Sequence, residues 1–92
     1  MKVTFEPGYY EWHLKVNDEI VHTFGDPVDL FTDDYDEPLE IINEEACCDV
    51  ADLLMFGYRK ELEMNGKEID DELFVLATET IANALYQQYG ED

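Results

Sequence analysis

The stretch YEWHLKVNDEIVHTFG, residues 10–25, decides the fold class because its side chains alternate with a period of two on both sides of a turn. Before the turn, one face carries Tyr10, Trp12, Leu14 and Val16, and the other face carries Tyr9, Glu11, His13 and Lys15. Such alternation is typical of a half-buried β-strand. Asn17 and Asp18 are residues that turns favour. The stretch therefore predicts an antiparallel hairpin.

Two registers of this hairpin agree with its sequence. A two-residue turn places His13 opposite His22, whereas a three-residue turn that also includes Glu19 gives a different set of pairs. Those pairs are apolar and lie on one face: Val16 with Ile20, and Trp12 with Phe24. We favour the second register, because apolar cross-strand pairs on one face stabilise a sheet.

The residues on either side of the hairpin predict a further strand and a loop. Val3 and Phe5 alternate with polar neighbours before a Pro-Gly turn signal, so we expect a first strand there. Residues 26–43 combine two prolines with clustered aspartates and predict an irregular loop, with a short strand or turn at Leu39–Ile42. The side chains expected to fasten this loop to the rest of the protein are Leu30, Phe31 and Tyr35.

From residue 44 onward the apolar residues follow the period of an α-helix. Asn43 is the expected N-cap of the first helix, and Glu44 and Glu45 suit the positive end of its dipole. Asn65-Gly66 is the expected end. The predicted core stripe has helical spacing and consists of Cys47, Val50, Ala51, Leu54, Tyr58 and Leu62.

The second predicted helix has the more regular pattern. Asp70 is its expected N-cap, Ile69 and Phe74 are placed as a hydrophobic staple, and Gly90 marks its end. Its predicted core face recurs at helical spacing and consists of Leu73, Leu76, Ala77, Thr80, Ile81, Ala84 and Leu85.

Together these elements predict an α+β fold in a single domain of residues 1–92. A three-stranded antiparallel sheet occupies residues 1–25, and an acidic loop occupies residues 26–43. Two C-terminal helices within residues 44–90 pack on one face of the sheet.

Charge is the most unusual property of the chain, which carries 24 acidic residues against 5 basic ones and has a formal net charge of -19. A small soluble domain usually has a net charge of magnitude about 2 to 8. Between Val16 and Tyr58 there is no lysine or arginine, but there are thirteen acidic residues. Because like charges repel and oppose compaction, we expect a chain that retains this charge to use it.

This charge balance argues against several classes of function. Contacts to DNA, RNA or anionic lipid need lysine and arginine, of which the chain has only Lys2, Lys15, Arg59, Lys60 and Lys67. The N-terminal MKVTFEP has no apolar leader region, and no apolar run approaches the roughly 18 residues of a membrane span. We therefore expect a protein of the host-cell cytoplasm that binds a basic protein, with no direct nucleic-acid or membrane contact, as a monomer or weak dimer.

The expected partner-binding surface consists of the loop and the acidic face of the first helix. Its residues are Asp26, Asp29, Asp33, Asp34, Tyr35, Asp36, Glu37, Glu40, Asp49 and Asp52. Duplex DNA carries about one negative charge per 1.7 Å, so a domain-sized length of roughly 30 Å carries about 18 charges, close to the charge of this protein. Carboxylates can replace phosphates as acceptors for arginine and lysine, and Tyr35 can stack on an arginine. The alternative is a solvated acidic surface that serves solubility alone.

Other kinds of site have weaker support in the sequence. The loop aspartates offer oxygen ligands for calcium, but they do not follow the EF-hand pattern. His13 and His22, if they pair across strands, lack a convincing third metal ligand. Cys47 and Cys48 are adjacent, so they form no disulfide framework, and at least one is expected in the core. The chain has none of the common catalytic motifs, and we expect no enzymatic activity, no cofactor and no bound metal.

In size, acidity and simple α+β pattern, the chain resembles the small inhibitors that phages and mobile elements make against host nucleases, the anti-CRISPR and antirestriction proteins. The resemblance covers the whole chain through its composition, so no family site residue is carried over. It implies an inhibitor that occupies the nucleic-acid or PAM-reading cleft of a CRISPR effector, where arginines lie in a basic groove. The alternative function is an acidic interaction module, such as an antitoxin or immunity protein, that neutralises another basic protein.

Overall fold

Three antiparallel strands form a sheet of order β1-β2-β3 in the computed structural model, which describes residues 1–33 and 35–90. The strands are β1 (Val3–Pro7), β2 (Glu11–Val16) and β3 (Glu19–Gly25). A 3₁₀ helix at Pro27–Leu30 follows, and the chain then continues into helices α1 (Glu44–Met64) and α2 (Asp71–Tyr89). The α+β fold predicted from the sequence, with the sheet preceding the two helices, is confirmed.

The hairpin of β2 and β3 combines features of both predicted registers. Its turn is the two-residue one, because Val16 pairs with Glu19, so the predicted pairing of Val16 with Ile20 is wrong. Asn17 and Asp18 have φ values of 53° and 69°. Positive φ at both central residues gives the turn a twist that matches the strands it joins.

A shift of register between Leu14 and Lys15 then restores the predicted apolar pair farther along the hairpin. Trp12 lies opposite Phe24, as predicted, and His13 lies opposite Thr23 rather than His22. The two-residue turn places Ile20 opposite Lys15, whose face carries the polar residues of β2. Because a one-residue change of register exchanges the two faces of a strand, Ile20 is 55% exposed instead of joining the core.

The core lies between the inner face of the sheet and the two helices. Phe5 stacks on Trp12 with ring centroids 4.9 Å apart, and Phe24 meets Phe5 edge-on at 5.8 Å. The α2 helix packs against β1, while α1 reaches β3 through Tyr58, whose ring centroid lies 4.5 Å from that of His22. The buried residues of strands, loop and helices form one cluster: Phe5, Trp12, Leu14, Phe24, Phe31, Cys47, Val50, Ala51, Met55, Ala77, Ile81, Ala82 and Leu85.

Local sequence signals set the ends of α1. The Asn43 side chain accepts a hydrogen bond from the backbone N–H of Ala46 at 2.8 Å, which confirms the predicted N-cap. The helix stops at Asn65, and Gly66 follows with a φ of 72°, in the left-handed region that favours glycine. Of the predicted stripe, Cys47, Val50 and Ala51 are buried, whereas Leu54, Tyr58 and Leu62 are half-buried. Met55, which the stripe omitted, is fully buried.

The α2 helix begins and ends where the sequence predicts. The Asp70 side chain accepts a hydrogen bond from the backbone N–H of Glu72 at 2.8 Å, and Gly90 is the C-cap. Ile69 and Phe74 are both half-buried against the core, as a hydrophobic staple requires. The predicted core face contributes Ala77, Ile81 and Leu85 to the buried cluster.

Candidate functional site

The acidic loop begins with a 3₁₀ helix whose N-cap is Asp26. One Asp26 carboxylate oxygen accepts hydrogen bonds from the backbone N–H of Val28 at 3.0 Å and from the Tyr89 hydroxyl at 3.2 Å. Pro27 occupies the first turn, where its lack of an N–H has no cost. Asp26 therefore joins the start of the loop to the C-terminal end of α2, and one of its oxygens is already used within the protein.

Phe31 is the apolar anchor of the loop. Its side chain is buried, and its ring centroid lies 5.8 Å from that of Tyr89. Of the three side chains expected to fasten the loop, only Phe31 does so, because Leu30 is 41% exposed and Tyr35 is 86% exposed. Asp26 and Phe31 both contact Tyr89, so one residue of α2 holds the first part of the loop from two sides.

In the second part of the loop the chain reverses, and we name the described residues there, 33 and 35–37, the acidic turn. The Asp33 side chain accepts hydrogen bonds from the backbone N–H groups of Tyr35 at 2.8 Å and Glu37 at 3.0 Å. The backbone N–H of Asp33 donates to the carbonyl of Glu37 at 2.8 Å. Asp36 has a φ of 60°, which aspartate tolerates better than most residues. Asp34, another predicted site residue, lies outside the described residues.

Short contacts close the base of the acidic turn. Thr32 and Pro38 form an isolated antiparallel bridge, and the backbone N–H of Leu39 donates to the Phe31 carbonyl at 3.0 Å. No strand forms at Leu39–Ile42 among the described residues, where the sequence suggested a short strand or turn. The turn therefore projects from the Phe31 anchor, with Tyr35 exposed.

The predicted site residues divide into shaping and presented groups. Asp26 and Asp33 use a carboxylate oxygen to hold backbone N–H groups, so they shape the loop. The presented residues are exposed, and they are Asp29, Tyr35, Asp36, Glu37, Glu40, Asp49 and Asp52. The ion pairs in the described part of the chain use Glu6, Asp18, Glu61 and Glu63, none of which is a predicted site residue. The presented carboxylates are thus open to a partner.

Asp49 and Asp52 lie on α1, where they line a groove of about 630 Å³ between α1 and α2. Its floor consists of Leu53 and Phe56 from α1 and Phe74 from α2. The two acids were predicted from the sequence as site residues, and the apolar floor was not. The signal was present, because Leu53 and Phe56 are apolar residues that fall outside the core stripe of α1.

The two cysteines of α1 lie close to acidic residues of the same helix. Cys47 is buried, which confirms the expectation that one cysteine lies in the core, and Cys48 is exposed. Desolvation by neighbouring groups raises the pKa of the Cys48 thiol above its ordinary value. The nearby carboxylates raise this pKa further, and they belong to Glu44, Asp52, Asp49 and Glu45. Clustered negative charge therefore adds to desolvation in disfavouring the thiolate form of Cys48.

The two histidines lie on opposite faces of the sheet, so they do not form the cross-strand pair that a shared metal would need. His13 contacts Thr23 on the open face, with 3.1 Å between Nδ1 and Oγ1. His22 faces α1, where its Nε2 lies 3.7 Å from a carboxylate oxygen of Glu61. Within residues 1–33 and 35–90, no group of three or more histidine, cysteine, aspartate or glutamate side chains is arranged to hold a metal ion.

Compared with known proteins, the chain matches no protein-family model, no curated protein and no solved structure. Among the helices of the described residues, none is long and apolar enough to cross a membrane.

Proposed function

We propose that this protein is an acidic inhibitor that mimics nucleic acid and binds the basic nucleic-acid cleft of a nuclease, with a CRISPR effector as the favoured target class. The observation that carries the proposal is the exposed acidic surface formed by the loop and by Asp49 and Asp52 of α1. This surface lies between Val16 and Tyr58, where the chain has no lysine or arginine. The presented carboxylates of this surface take part in none of the described ion pairs.

The charge density of the protein supports mimicry. Its longest dimension is 38 Å, somewhat more than the roughly 30 Å expected from chain length. At one charge per 1.7 Å, a duplex of this length carries about 22 phosphate charges. The net charge of -19 is close to that number. A basic groove that neutralises DNA of this length therefore meets a comparable charge on this protein.

The acidic turn suits recognition of arginine. The Asp36 and Glu37 carboxylates offer charge-assisted hydrogen bonds to a guanidinium, and the exposed Tyr35 ring offers a stacking surface beside them. Asp33 holds the backbone of the turn in place, so it orders these groups before a partner arrives. Arginines that read a PAM in a CRISPR effector present this chemistry.

The decisive experiment is competition for DNA. A panel of CRISPR effectors and restriction enzymes is loaded with fluorescent target DNA, and the purified protein is titrated in while anisotropy is recorded. We expect one class of enzyme to release its DNA, with an inhibition constant that rises as salt increases, because salt screens the charges that attract the two proteins. Full retention of DNA across the panel at low salt would refute the mimic proposal.

A matched pair of variants tests the acidic turn. Asp36→Asn with Glu37→Gln removes two presented charges, and we expect it to abolish inhibition. Glu11→Gln with Glu19→Gln removes the same number of exposed charges from the ends of β2 and β3 and should leave inhibition nearly unchanged. Equal loss in both variants would mean that net charge alone matters. Asp33 is avoided because its replacement would also disturb the turn.

Exposed tyrosines favour a second candidate function. In it the protein is an interaction module that neutralises a basic protein without imitating nucleic acid. Tyr9 is 88% exposed and Tyr35 is 86% exposed, and both are available as aromatic anchors. Phe31 is buried in the core, so it is not available to a partner. For such a module, the Asp36→Asn and Glu37→Gln change should slow association and leave the lifetime of the complex nearly unchanged. Surface plasmon resonance separates the two rates.

A further inference from the structure

The side of the helix pair that faces away from the sheet carries apolar side chains that folding does not bury. Leu53 is 59% exposed, Phe56 is 56% exposed and Val75 is 56% exposed. Leu53 and Phe56 line the groove with Phe74, and a hollow that shares Asp52 and Phe74 extends it to Val75. Single exposed apolar residues are ordinary, but a contiguous apolar groove marks an interaction site. We name this feature the helix-pair groove.

The rim of the helix-pair groove is acidic on both helices. Asp49 and Asp52 border it on α1, and Glu79 borders it on α2. All three are exposed and none takes part in the ion pairs of residues 1–33 and 35–90. An occupant that carries positive charge on both sides of an apolar ridge complements this arrangement.

Arg59 shows that the floor of the groove accepts a cation. Its guanidinium carbon lies 5.2 Å from the centroid of the Phe74 ring and 5.9 Å from that of Phe56. Both distances fall in the range of cation–π attraction. The rings that form the floor therefore already hold one arginine of the chain itself, at one end of the groove.

We propose that the helix-pair groove docks a basic amphipathic helix of a partner protein. Leucine or phenylalanine side chains of that helix fill the floor over Leu53, Phe56 and Val75, and its lysines and arginines pair with the rim acids. From Asp49 to Arg59 the groove follows α1 for about 15 Å, a length that about ten helical residues match. The proposal rests on the proposed function in its expectation of a basic partner, and it shares Asp49 and Asp52 with the acidic surface of that function. Its apolar floor is separate from the acidic turn.

Charge argues against a second copy of the chain as the occupant. Two copies packed groove to groove would place Asp49, Asp52 and Glu79 of both molecules in one interface. Like charges in such proximity cost free energy, and the net charge of -19 adds long-range repulsion. A basic helix removes both costs.

The test uses a fluorescent synthetic peptide of about 14 residues, about 21 Å long as a helix, with leucine and phenylalanine on one face and arginine and lysine on the other. A scrambled peptide of the same composition has no apolar face. We expect the amphipathic peptide to bind and the scrambled one to bind at least about 30-fold more weakly, the effect of losing a well-packed anchor. Equal binding of both peptides would overturn the proposal, because charge alone would then explain it.

Matched variants locate the binding surface. The double variant Leu53→Ser with Phe56→Ser should bind the amphipathic peptide about 30-fold more weakly, or weaker still. Met64→Ser is the control, because Met64 lies on the same helix, is 82% exposed and does not line the groove. A similar loss of peptide affinity in the groove variant and in Met64→Ser, with the melting curves of both unchanged, would overturn the proposal.

Chemical-shift mapping of the unaltered protein keeps the test valid if a variant unfolds. We expect the peptide to perturb the amides of Leu53, Phe56 and Val75 most strongly. Perturbations centred on residues 35–37 would assign peptide binding to the acidic turn and overturn the groove proposal. A dimer of the protein alone that Phe56→Ser dissociates would also overturn it, with a second copy as the occupant. Nuclease competition is measured separately, so either proposal can fail without the other.

Discussion

The two sides of α1 contain similar residues in very different surroundings. On the inner side, Val50 and Met55 are almost completely buried against the sheet and α2, whereas on the outer side Leu53 and Phe56 are more than half exposed. Burial within the fold accounts for the inner residues. It does not account for the outer ones, which lie between acidic residues in an open groove. Apolar residues of one helix can therefore stabilise the fold on one face and remain available for recognition on the other.

The largest expected effect separates neighbouring residues of α1. Met55→Ala should lower the free energy of unfolding by about 2 to 5 kcal/mol, because it leaves a cavity in the core. Phe56→Ala should cost less than about 1 kcal/mol, since it removes only half-exposed surface and a contact with Arg59. Urea denaturation measures both. Equal losses would show that Phe56 is part of the folding core and would break the comparison.

The next effect compares shaping and presented acids of the loop. Asp26→Ala removes the cap of the 3₁₀ helix and the partner of the Tyr89 hydroxyl, so it should cost about 1 to 2 kcal/mol. Asp29→Ala, one turn away and exposed, should change stability by no more than about 0.5 kcal/mol. Thermal unfolding of the two variants against the parent tests this. If Asp29→Ala were the more costly, the division into shaping and presented residues would be wrong.

Alkaline pH should loosen the attachment of the loop to α2. Burial raises the pKa of Tyr89, and the charge of Asp26 raises it further; burial also raises the pKa of Tyr58, with a smaller effect of Glu61. The folded state therefore favours the neutral phenols. This contribution to stability is fully present below the ordinary tyrosine pKa of about 10 and is lost as pH rises through the higher folded values.

Urea denaturation at a series of pH values above neutrality measures this loss. We expect Tyr89→Phe to flatten the alkaline decline, because it removes one of the two phenols. Tyr9→Phe, at an 88% exposed site, is the control and should leave the decline unchanged. If stability declined with pH at the same slope in the parent, in Tyr89→Phe and in Tyr9→Phe, the result would argue against a role for Tyr89.

The smallest effect sharpens the description of the acidic face of α1. Asp49→Asn with Asp52→Asn should lower the pKa of the Cys48 thiol, because both carboxylates raise it. More thiolate at mildly alkaline pH means faster alkylation by a neutral reagent such as iodoacetamide, by an amount of about a few-fold. Glu68→Gln with Glu72→Gln is a control of equal charge change at the other end of the helix pair. Equally faster alkylation of Cys48 in both double variants would show that net charge, and not the neighbouring carboxylates, sets the pKa of the thiol.

Much of the fold was predictable from local sequence because its signals act between near neighbours. Asn43 and Asp70 each cap a helix within three residues of their own position. The period-two pattern of β2 likewise needed no distant information, and Trp12 and Leu14 are buried as it predicts. Tyr10, predicted on the same face, lies just before the strand and is 78% exposed. The hairpin register was harder to predict from the sequence, because the preferred turn and the preferred pairing of apolar residues require different registers. The register shift between Leu14 and Lys15 satisfies both.

The candidate site was predictable in composition but not in arrangement. The sequence identifies Asp26 and Asp36 equally as loop acids, yet the structure gives Asp26 a partner 63 residues away and leaves Asp36 exposed. Similarly, nothing in the spacing of Leu53 and Phe74 indicates that they line one groove. Contacts between distant residues follow from how the helices pack, and sequence periodicity describes only one element at a time.

By itself, the sequence determined the elements of this protein, their caps and its excess of negative charge. These properties depend on residue type and on separations of a few positions along the chain. The tertiary structure decided which acids shape the loop, which are presented, and which apolar residues of α1 remain outside the core. The physical reason is that burial and hydrogen bonding depend on what the rest of the chain brings to each side chain, and here Tyr89 and Phe74 of α2 supply the deciding contacts.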